Sequence, residues 1–209
     1  MSCLPMFVEI KDRPCLVAGG GAVASRKVRV LQEFGADVTV VAREFDPSFR
    51  NLEGLKLREK SFELSDIGDS VLVIAATDDH KLNHEIARAC YERGIPVNAV
   101  DQPEDCSFIF PAYLKQGEVV AAFSSGGSSP VVTQYLKEKT RPFMTERVGE
   151  MAACLKGLRS LVKESVPVME NRKKVYQEIL EFGLGSEELP DEKEIQKIVD
   201  KYKDAKGSN

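Results

Sequence analysis

Three consecutive glycines interrupt a short apolar run near the start of the chain, and their spacing suits the binding of phosphate groups. Cys15–Ala18 has the composition of a strand buried on both faces, and Gly19, Gly21 and Ala24 follow at the G-x-G-x-x-A spacing of a dinucleotide-binding turn. The first glycine permits a tight bend, the second lets a pyrophosphate approach the backbone, and the small third residue lets a helix pack closely on the strand. The N-terminus of that helix offers unpaired N–H groups to an anion.

The segments around this turn support the interpretation. Ala22–Phe34 is compatible with a helix that Gly35 ends, and Val38–Ala42 is a second apolar run, so the three segments form a βαβ unit. A glycine-rich turn that binds no nucleotide is the alternative at this point. The residues of the turn predicted to bind the cofactor are Gly19, Gly20, Gly21, Ala22, Val23 and Ala24.

Two further strand ends complete the predicted cofactor site. An NAD site commonly carries Asp or Glu at the end of the second strand, for the ribose hydroxyl, whereas Arg suits a 2′-phosphate. This chain offers both in Arg43 and Glu44, and we favour NAD. Thr77 and Asp78 end another buried run and are predicted to lie beside the adenine-ribose or the nicotinamide half of the cofactor. Capping of the next helix is the alternative role for Thr77 and Asp78.

The elements that must hold these residues alternate between strand and helix. A helix capped by Thr77–Asp79 is predicted to run to about Arg93. The other predicted strands are Leu4–Ile10, the half-exposed Leu55–Arg58, and the buried runs Val71–Ala76 and Ile95–Val100. This alternation predicts an α/β fold that begins with a Rossmann domain, in which a doubly wound sheet is mostly parallel.

The pattern changes at Ser107. Ser107–Phe110 and Glu118–Phe123 are predicted to be the two strands of a hairpin around Lys115–Gly117. A hydroxyl-rich turn follows, in which Ser129 precedes Pro130 as a helix cap. We therefore expect a small α+β region and then a helical C-terminal domain. Its helices are predicted over Pro130–Thr140, Phe143–Glu164, Val168–Phe182 and Asp191–Tyr202.

Composition and charge argue against several other classes of protein. A net charge of −4 argues against binding to nucleic acid. No run approaches the ~20 apolar residues of a membrane span, and no basic segment precedes an apolar stretch at the N-terminus, so a soluble cytoplasmic protein is expected. The five cysteines lack C-x-x-C spacing, which argues against a disulfide framework or a zinc site. His80 and His84 share one helix face, but no HExxH pattern accompanies them, and no metal site is predicted.

Several stretches become recognisable when they are taken in order. They are GGGAVASRK at Gly19–Lys27, VIAATDD at Val73–Asp79, IPVNAVDQPEDCSFIFPA at Ile95–Ala112 and SSGGSSP at Ser124–Pro130. This ordered set resembles the precorrin-2 dehydrogenase family, which includes the dehydrogenase and ferrochelatase module of siroheme synthase and its free-standing relatives. The resemblance covers residues 4–140.

The resemblance implies a reaction and an organisation of the chain. The reaction is the NAD-dependent oxidation of precorrin-2 to sirohydrochlorin, an early step toward siroheme or cobalamin, and some members also insert Fe²⁺ or Co²⁺ into the product. The implied assembly is a homodimer whose subunits intertwine through the region after the Rossmann domain. We accordingly expect an NAD-binding Rossmann domain over residues 1–112, a dimerisation region over 113–146 and a helical domain over 147–209.

The resemblance also assigns residue roles. It implies that Asp101 is the catalytic carboxylate, as a base for the proton that remains after hydride removal or as an acceptor of pyrrole N–H protons. An Asx turn or a helix cap is the alternative role for Asp101. The same resemblance implies that the tetrapyrrole is bound by Ser124, Ser125 and Gly126, although these residues also suit a capping loop. Family members often carry proline where Arg43 stands, which weakens the argument for strict NAD preference.

Other functions remain open from the sequence. A nucleotide-sensing regulatory module would use the glycine turn but would leave SFIFP and SSGGSSP without a purpose. A dehydrogenase for an unrelated small substrate is a third possibility. Whether the chain also inserts metal is open. A length of 209 residues leaves no room for the methyltransferase domain of trifunctional siroheme synthase, so a separate enzyme is expected to supply precorrin-2.

Overall fold

Short apolar runs in the first half of the chain pair side by side into a parallel sheet. The computed structural model describes residues 3–203. The strands of this sheet are β1 (Pro14–Ala18), β2 (Asp37–Ala42), β3 (Lys56–Glu59), β4 (Leu72–Ala75) and β5 (Val97–Ala99), in the order β3-β2-β1-β4-β5. In the parallel register Ala18 lies opposite Val41 on one side and Ala75 on the other. The carboxyl ends of β1, β2 and β4 therefore meet at one edge of the sheet.

Helices cover both faces of this sheet. Leu16 and Ala18 pack in a buried cluster with Ile86 of α2 (His80–Glu92). Val17, between them in the sequence, packs on the opposite face with Ala24 of α1 (Ala22–Glu33). A strand buried on both faces needs apolar residues at consecutive positions, which explains the unbroken apolar runs of β1 and β4. The α/β fold class with a doubly wound sheet, predicted from the alternation of elements, is confirmed.

The chain divides into two compact units, one ending at Phe110 and the other beginning at Pro111. The second unit starts with an antiparallel hairpin of β6 (Ala112–Gln116) and β7 (Val119–Phe123). Its helices are α3 (Pro130–Thr140), α4 (Glu146–Gly157), α5 (Arg159–Ser165), α6 (Met169–Gly185) and α7 (Glu192–Lys203). A separate apolar core holds the last four of these helices together, with Met151, Val162, Val175, Ile179 and Val199 fully buried. A hairpin region followed by helices agrees with the predicted class.

The strand predicted over Leu4–Ile10 is wrong. This segment pairs with no strand in the described part of the chain. Its large apolar side chains are exposed apart from Ile10, which packs on the sheet core, and Leu4 and Phe7 are 81% and 75% accessible. An apolar run forms a strand only where the edge of a sheet accepts its backbone hydrogen bonds. The composition of this segment does not reveal whether such an edge is available.

The first strand of the predicted hairpin is also wrong. Ser107–Phe110 is not a strand, and the hairpin instead begins at Ala112 and turns at Gly117 and Glu118. The Ser107 hydroxyl accepts a hydrogen bond from the Val97 N–H at 2.8 Å, and the Ser107 N–H donates to the Val97 carbonyl at 2.9 Å. These bonds tie the segment to β5 and use groups that a hairpin ladder would need.

The helix predicted over Phe143–Glu164 is broken into α4 and α5. The break falls at Leu158, directly after Gly157, the last residue of α4. Glycine weakens a helix because of its backbone freedom, which accounts for the position of the break.

Two further findings concern the helices and the cysteines. Within residues 3–203, no helix combines the length and the apolar character needed to cross a membrane. The five cysteines are free thiols. Burial raises the pKa of Cys15 and of Cys90 to about 11, so these two thiols are poor nucleophiles at neutral pH.

Candidate functional site

The glycine turn between β1 and α1 has little room for side chains at its first two positions. A Cβ added at Gly19 would lie 2.1 Å from the carbonyl oxygen of Ala76, and Gly19 has a φ of +117°. A Cβ added at Gly20 would lie 2.0 Å from the carbonyl oxygen of Glu44. The Gly19 N–H donates to the Val41 carbonyl at 2.9 Å. These two glycines let the ends of β2 and β4 close against the turn.

Gly21 differs from the two glycines before it. A Cβ added there would meet no atom of the described chain within 4 Å, and the Gly21 backbone is extended, with a φ of −80°. Gly21 is the N-cap of α1, and no side chain among residues 3–203 caps the helix there. The first N–H groups of α1, from Ala22, Val23 and Ala24, therefore have no intrahelical acceptor, and the space beside Gly21 is open. This arrangement suits a phosphate group and leaves room for it.

The end of β2 lies against the same turn. The Asp46 N–H donates to the Gly20 carbonyl at 2.8 Å, which holds the loop after β2 beside the glycines. Arg43 and Glu44 are exposed, and neither side chain makes a hydrogen bond or an ion pair with another described residue. The structure thus brings both candidate ribose-contacting residues to the glycine turn with their charged groups free.

The end of β4 is held more tightly. The Thr77 hydroxyl donates to Asn83 Oδ1 at 2.7 Å, the Thr77 N–H donates to the same oxygen at 3.1 Å, and Asn83 Nδ2 donates back to the Thr77 carbonyl at 3.0 Å. Asp79 caps α2 by accepting from the N–H groups of Lys81 and Leu82. Asp78 is exposed and makes no hydrogen bond or ion pair within the described residues. Thr77 therefore has a structural role in its loop, whereas Asp78 is free to contact a ligand.

The buried Asn83 was missed by the sequence reasoning. It is 1% exposed and lies on the inner face of α2 together with Ile86 and Cys90. An amide at an apolar position of an amphipathic helix signals a buried hydrogen-bonding role, and this signal was present in the sequence.

Asp101 stands two residues beyond the end of β5 in a left-handed conformation, with a φ of +60°. Its side chain is exposed and makes no hydrogen bond or ion pair with another residue in the described part of the chain. An Asx turn would need an N–H two residues on, and that position is Pro103, which has none. The alternative role as an Asx turn is therefore excluded, and the carboxylate is available to a ligand at the edge of the sheet.

Lys27 lies in the second turn of α1, with its amine 4.0 Å from the centre of the Phe110 ring. Phe110 in turn packs on Phe108, with ring centres 5.2 Å apart. Burial lowers the pKa of the Lys27 amine. The Lys27 ammonium group is thus held over the face of an aromatic ring and not beside a carboxylate.

The serine turn belongs to the second unit and satisfies its own polar groups. Ser124 Oγ accepts from the Gly126 N–H at 3.1 Å. Ser125 Oγ accepts from the Ser129 N–H at 2.9 Å and donates to the Ser129 carbonyl at 3.0 Å. Ser129 caps α3 by accepting from the Val132 N–H, as predicted from its place before Pro130. Ser124, Ser125 and Gly126 thus form one bonded loop that leads into a capped helix.

The described residues contain no group of three or more His, Cys, Asp or Glu side chains that could hold a metal ion. The two histidines instead face polar partners in the turn after Asp101. His80 Nδ1 lies 3.1 Å from Gln102 Oε1, and His84 Nδ1 lies 2.7 Å from Asp105 Oδ1.

In the first unit, the residues predicted to bind the cofactor converge on one edge of the sheet. Those after β1, β2 and β4 surround the point where strand order reverses, which is where open α/β sheets bind their ligands. The fit to a dinucleotide rests on the open, uncapped end of α1 and on the free charges at Arg43, Glu44 and Asp78.

Comparisons with known proteins agree with this geometry. Residues 6–112, just over half of the chain, match the model of a family described as "Putative NAD(P)-binding". Among solved structures, the chain resembles "SirC, precorrin-2 dehydrogenase" with a TM-score of 0.71, covering 96% of this chain and 100% of that one. The sequence identity to that structure is 23%, so the likeness concerns the fold.

Curated relatives are more similar in sequence. The chain is 43% identical over 187 residues to the siroheme synthase of Thioalkalivibrio sulfidiphilus and 37% identical over 197 residues to that of Methylobacillus flagellatus. These matches cover 87% and 93% of this chain, but 38% and 42% of the relatives. The chain therefore spans about two fifths of the length of the curated relatives it matches.

Proposed function

The chain belongs to the NAD(P)-binding family and shares this module with the siroheme synthases, and we propose that it oxidises precorrin-2 to sirohydrochlorin with NAD as the hydride acceptor. One observation carries the proposal. The glycine turn leaves open space above the uncapped end of α1, at the same sheet edge as the unpartnered carboxylate of Asp101. A binding site for an anionic cofactor and a free base at one edge are the parts that such an oxidation needs.

The cofactor site is proposed to use the glycine turn and the two neighbouring strand ends. The N–H groups at the start of α1, at Ala22, Val23 and Ala24, bind the pyrophosphate, and Gly19, Gly20 and Gly21 leave it room. Glu44 accepts from the ribose hydroxyls, and this carboxylate is the reason for proposing NAD. Thr77 and Asp78 lie beside the remainder of the cofactor. Kinetics with NAD and NADP test the preference: Arg43→Ala is expected to raise the KM for NADP and to leave the KM for NAD within about twofold.

Asp101 is proposed to take the proton. Precorrin-2 loses two hydrogens in the reaction: a hydride leaves with its electron pair to the cofactor, and a proton leaves from the cation-like ring system that results. NAD, when bound, supplies the hydride acceptor. A carboxylate accepts that proton efficiently when it is positioned at the substrate. The support for this role is that the Asp101 side chain is exposed and without a partner among the described residues.

The serine turn is proposed to bind the carboxylate side chains of the tetrapyrrole. Its glycines, Gly126 and Gly127, have φ values of +62° and +85°, and this backbone lets N–H groups converge on an anion. Ser124 and Ser125 hold the loop in shape through their hydrogen bonds, and Ser124 is exposed.

The proposed organisation is a homodimer with a dimerisation region over residues 113–146 and a helical domain over 147–209. Support for the dimer comes from α3, none of whose residues is buried in the described chain. Val131, Tyr135 and the neighbouring Phe143 are 77%, 59% and 76% exposed, an apolar surface that a second copy would cover. Sedimentation tests this: Val131→Glu is expected to shift the protein toward monomer, and Lys156→Glu on α4 is not. A cytoplasmic location stays a prediction from the sequence.

The test of function is an anaerobic assay with enzymatically generated precorrin-2 and NAD. The wild type is expected to form NADH and sirohydrochlorin, and Asp101→Ala is expected to lower kcat roughly a hundredfold while NAD binding is retained. A folded wild type that binds NAD but leaves precorrin-2 unchanged would contradict the proposal and would favour a nucleotide sensor or another substrate. Sirohydrochlorin with Fe²⁺ or Co²⁺, without NAD, tests metal insertion on the same preparation.

A further inference from the structure

Four polar side chains join α2 to the turn that follows Asp101, and we call them the α2 tether: His80, His84, Gln102 and Asp105. Gln102 Nε2 donates to the His80 carbonyl at 3.1 Å and to Asp105 Oδ2 at 2.9 Å. Gln102 Oε1 faces His80 Nδ1 at 3.1 Å, and Asp105 Oδ1 faces His84 Nδ1 at 2.7 Å. The tether thus links His80 and His84, one helical turn apart on α2, to Gln102 and Asp105, three residues apart in the segment after Asp101.

The tether fixes the donor of each bond. Gln102 Nε2 contacts two acceptors, so this atom is the amide nitrogen and Oε1 must accept. His80 therefore carries a proton on Nδ1. Asp105 is a carboxylate that accepts from Gln102 on one oxygen, so His84 donates its Nδ1 proton to the other. Gln102 and Asp105 are 8% and 7% exposed, so loss of one donor would leave a buried polar group without its partner.

The conformation of Asp101 depends on this turn. A left-handed φ is uncommon for a residue other than glycine and persists where the surrounding structure imposes it. On one side, the Val100 N–H donates to the Ala75 carbonyl at 2.8 Å. On the other side, the Gln102 N–H donates to the Ala99 carbonyl at 3.4 Å, a long bond. The Asp101 side chain itself has no partner within residues 3–203, so the position of its carboxylate depends on the backbone of the turn and on the side-chain rotamer.

Resting on the function proposed above, we propose that His84 and Gln102 are positioning residues that hold Asp101 at the substrate. Gln102 follows Asp101 directly, and its buried amide locks the turn onto α2. His84 acts one step further away, since it satisfies the carboxylate that Gln102 binds. Removing this support leaves the carboxylate present but displaced, and a misplaced catalytic group lowers the rate of the chemical step more than it weakens cofactor binding.

The experiment uses His84, because its side chain is 61% exposed and its removal spares the core. We expect His84→Ala to lower kcat for precorrin-2 oxidation about tenfold while the KM for NAD stays within about twofold. His84→Asn is expected to restore most of the rate, because its side-chain amide can place an N–H donor near the position of the His Nδ1. Arg88→Ala, an exposed position on the same helix, is the matched control and is expected to behave as wild type.

A second readout follows the turn itself. Amide hydrogen exchange over residues 99–106 is expected to be faster in His84→Ala than in the wild type, with exchange in β1 and β4 unchanged. A wild-type rate in His84→Ala would overturn the positioning role while leaving the proposed function intact. So would an equal loss in His84→Asn, or a fall in kcat that tracks global loss of stability. A wild type that fails to oxidise precorrin-2 would overturn both proposals.

Discussion

Two glycine-rich turns of this chain lead into helices, and they treat the first N–H groups of those helices in opposite ways. At Gly19–Gly21 no described side chain caps α1, and open space lies above Gly21. At Ser124–Ser129 the hydroxyl of Ser129 caps α3, and Ser125 bonds both backbone groups of Ser129. The first turn leaves donors for an added anion, whereas in the second the Val132 N–H already donates to Ser129.

This difference identifies what makes a glycine turn a binding site. Glycine content is shared by both turns, and so is the helix that follows. What separates them is whether the donors at the helix start already have acceptors and whether a ligand has room to reach them. By these two criteria the first turn is the candidate for cofactor phosphates. The second turn already uses its serine hydroxyls in hydrogen bonds within the chain.

The largest effect is expected at Gly19, where the turn cannot accept a side chain. Gly19→Ala would place a Cβ 2.1 Å from the Ala76 carbonyl oxygen at a φ of +117°. We expect a loss of at least about 3 kcal/mol in the free energy of unfolding, measured by urea denaturation. Wild-type stability in this variant would contradict the close packing of the turn against β4.

The second largest effect is expected at Gly21, where a substitution should weaken NAD binding and not stability. Gly21→Ala places its Cβ in open space at an allowed φ, so stability should change by less than about 1 kcal/mol. Binding of NAD should weaken roughly tenfold, since the methyl group occupies the path of the pyrophosphate. Calorimetric titration with NAD measures the affinity of the wild type and of the variant.

The matched control for Gly21→Ala is Gly157→Ala in the second unit. Gly157 also has open space around its Cβ position, within the described residues, and lies far in sequence from the turn. We expect no change in NAD affinity. Equal affinities in the wild type and Gly21→Ala would show that no phosphate lies at this turn.

The smallest effect is expected at Ser129. Ser129→Ala removes the cap of α3 and should cost about 1 kcal/mol of stability, with NAD affinity unchanged. Ser128→Ala, at an exposed neighbouring position, is the control and should match the wild type in both measurements. A loss of NAD affinity in Ser129→Ala alone would mean that the second turn also contributes to the cofactor site.

The sequence predicted those features that depend on residues close together in the chain. The parallel sheet and the glycine turn followed from unbroken apolar runs and from glycine spacing, both of which are local patterns. The cap at Ser129 followed from its place before Pro130. The ordered motifs agree with the comparisons: residues 6–112 match an NAD(P)-binding family, the chain is similar in sequence to siroheme synthases, and its fold is similar to that of a precorrin-2 dehydrogenase.

Several features that the sequence did not predict depend on partners that are distant in the chain. Ser107 bonds Val97 through its side chain, which no periodicity shows, and so the strand at Ser107–Phe110 was wrong. The α2 tether joins residues 21 and 22 positions apart, and its polar members gave no strong signal one by one. The left-handed conformation of Asp101 was equally hidden, since aspartate occurs in many turns without it.

The central claim, that the uncapped turn binds the cofactor phosphates, is tested most directly by an NMR titration. NAD is added to ¹⁵N-labelled protein, and the amide signals at the starts of α1 and α3 are followed together. We expect the largest shifts at Ala22, Val23 and Ala24, with the Val132 and Thr133 signals unmoved. Saturable NAD binding without shifts at the start of α1, or with shifts confined to α3, would contradict the account.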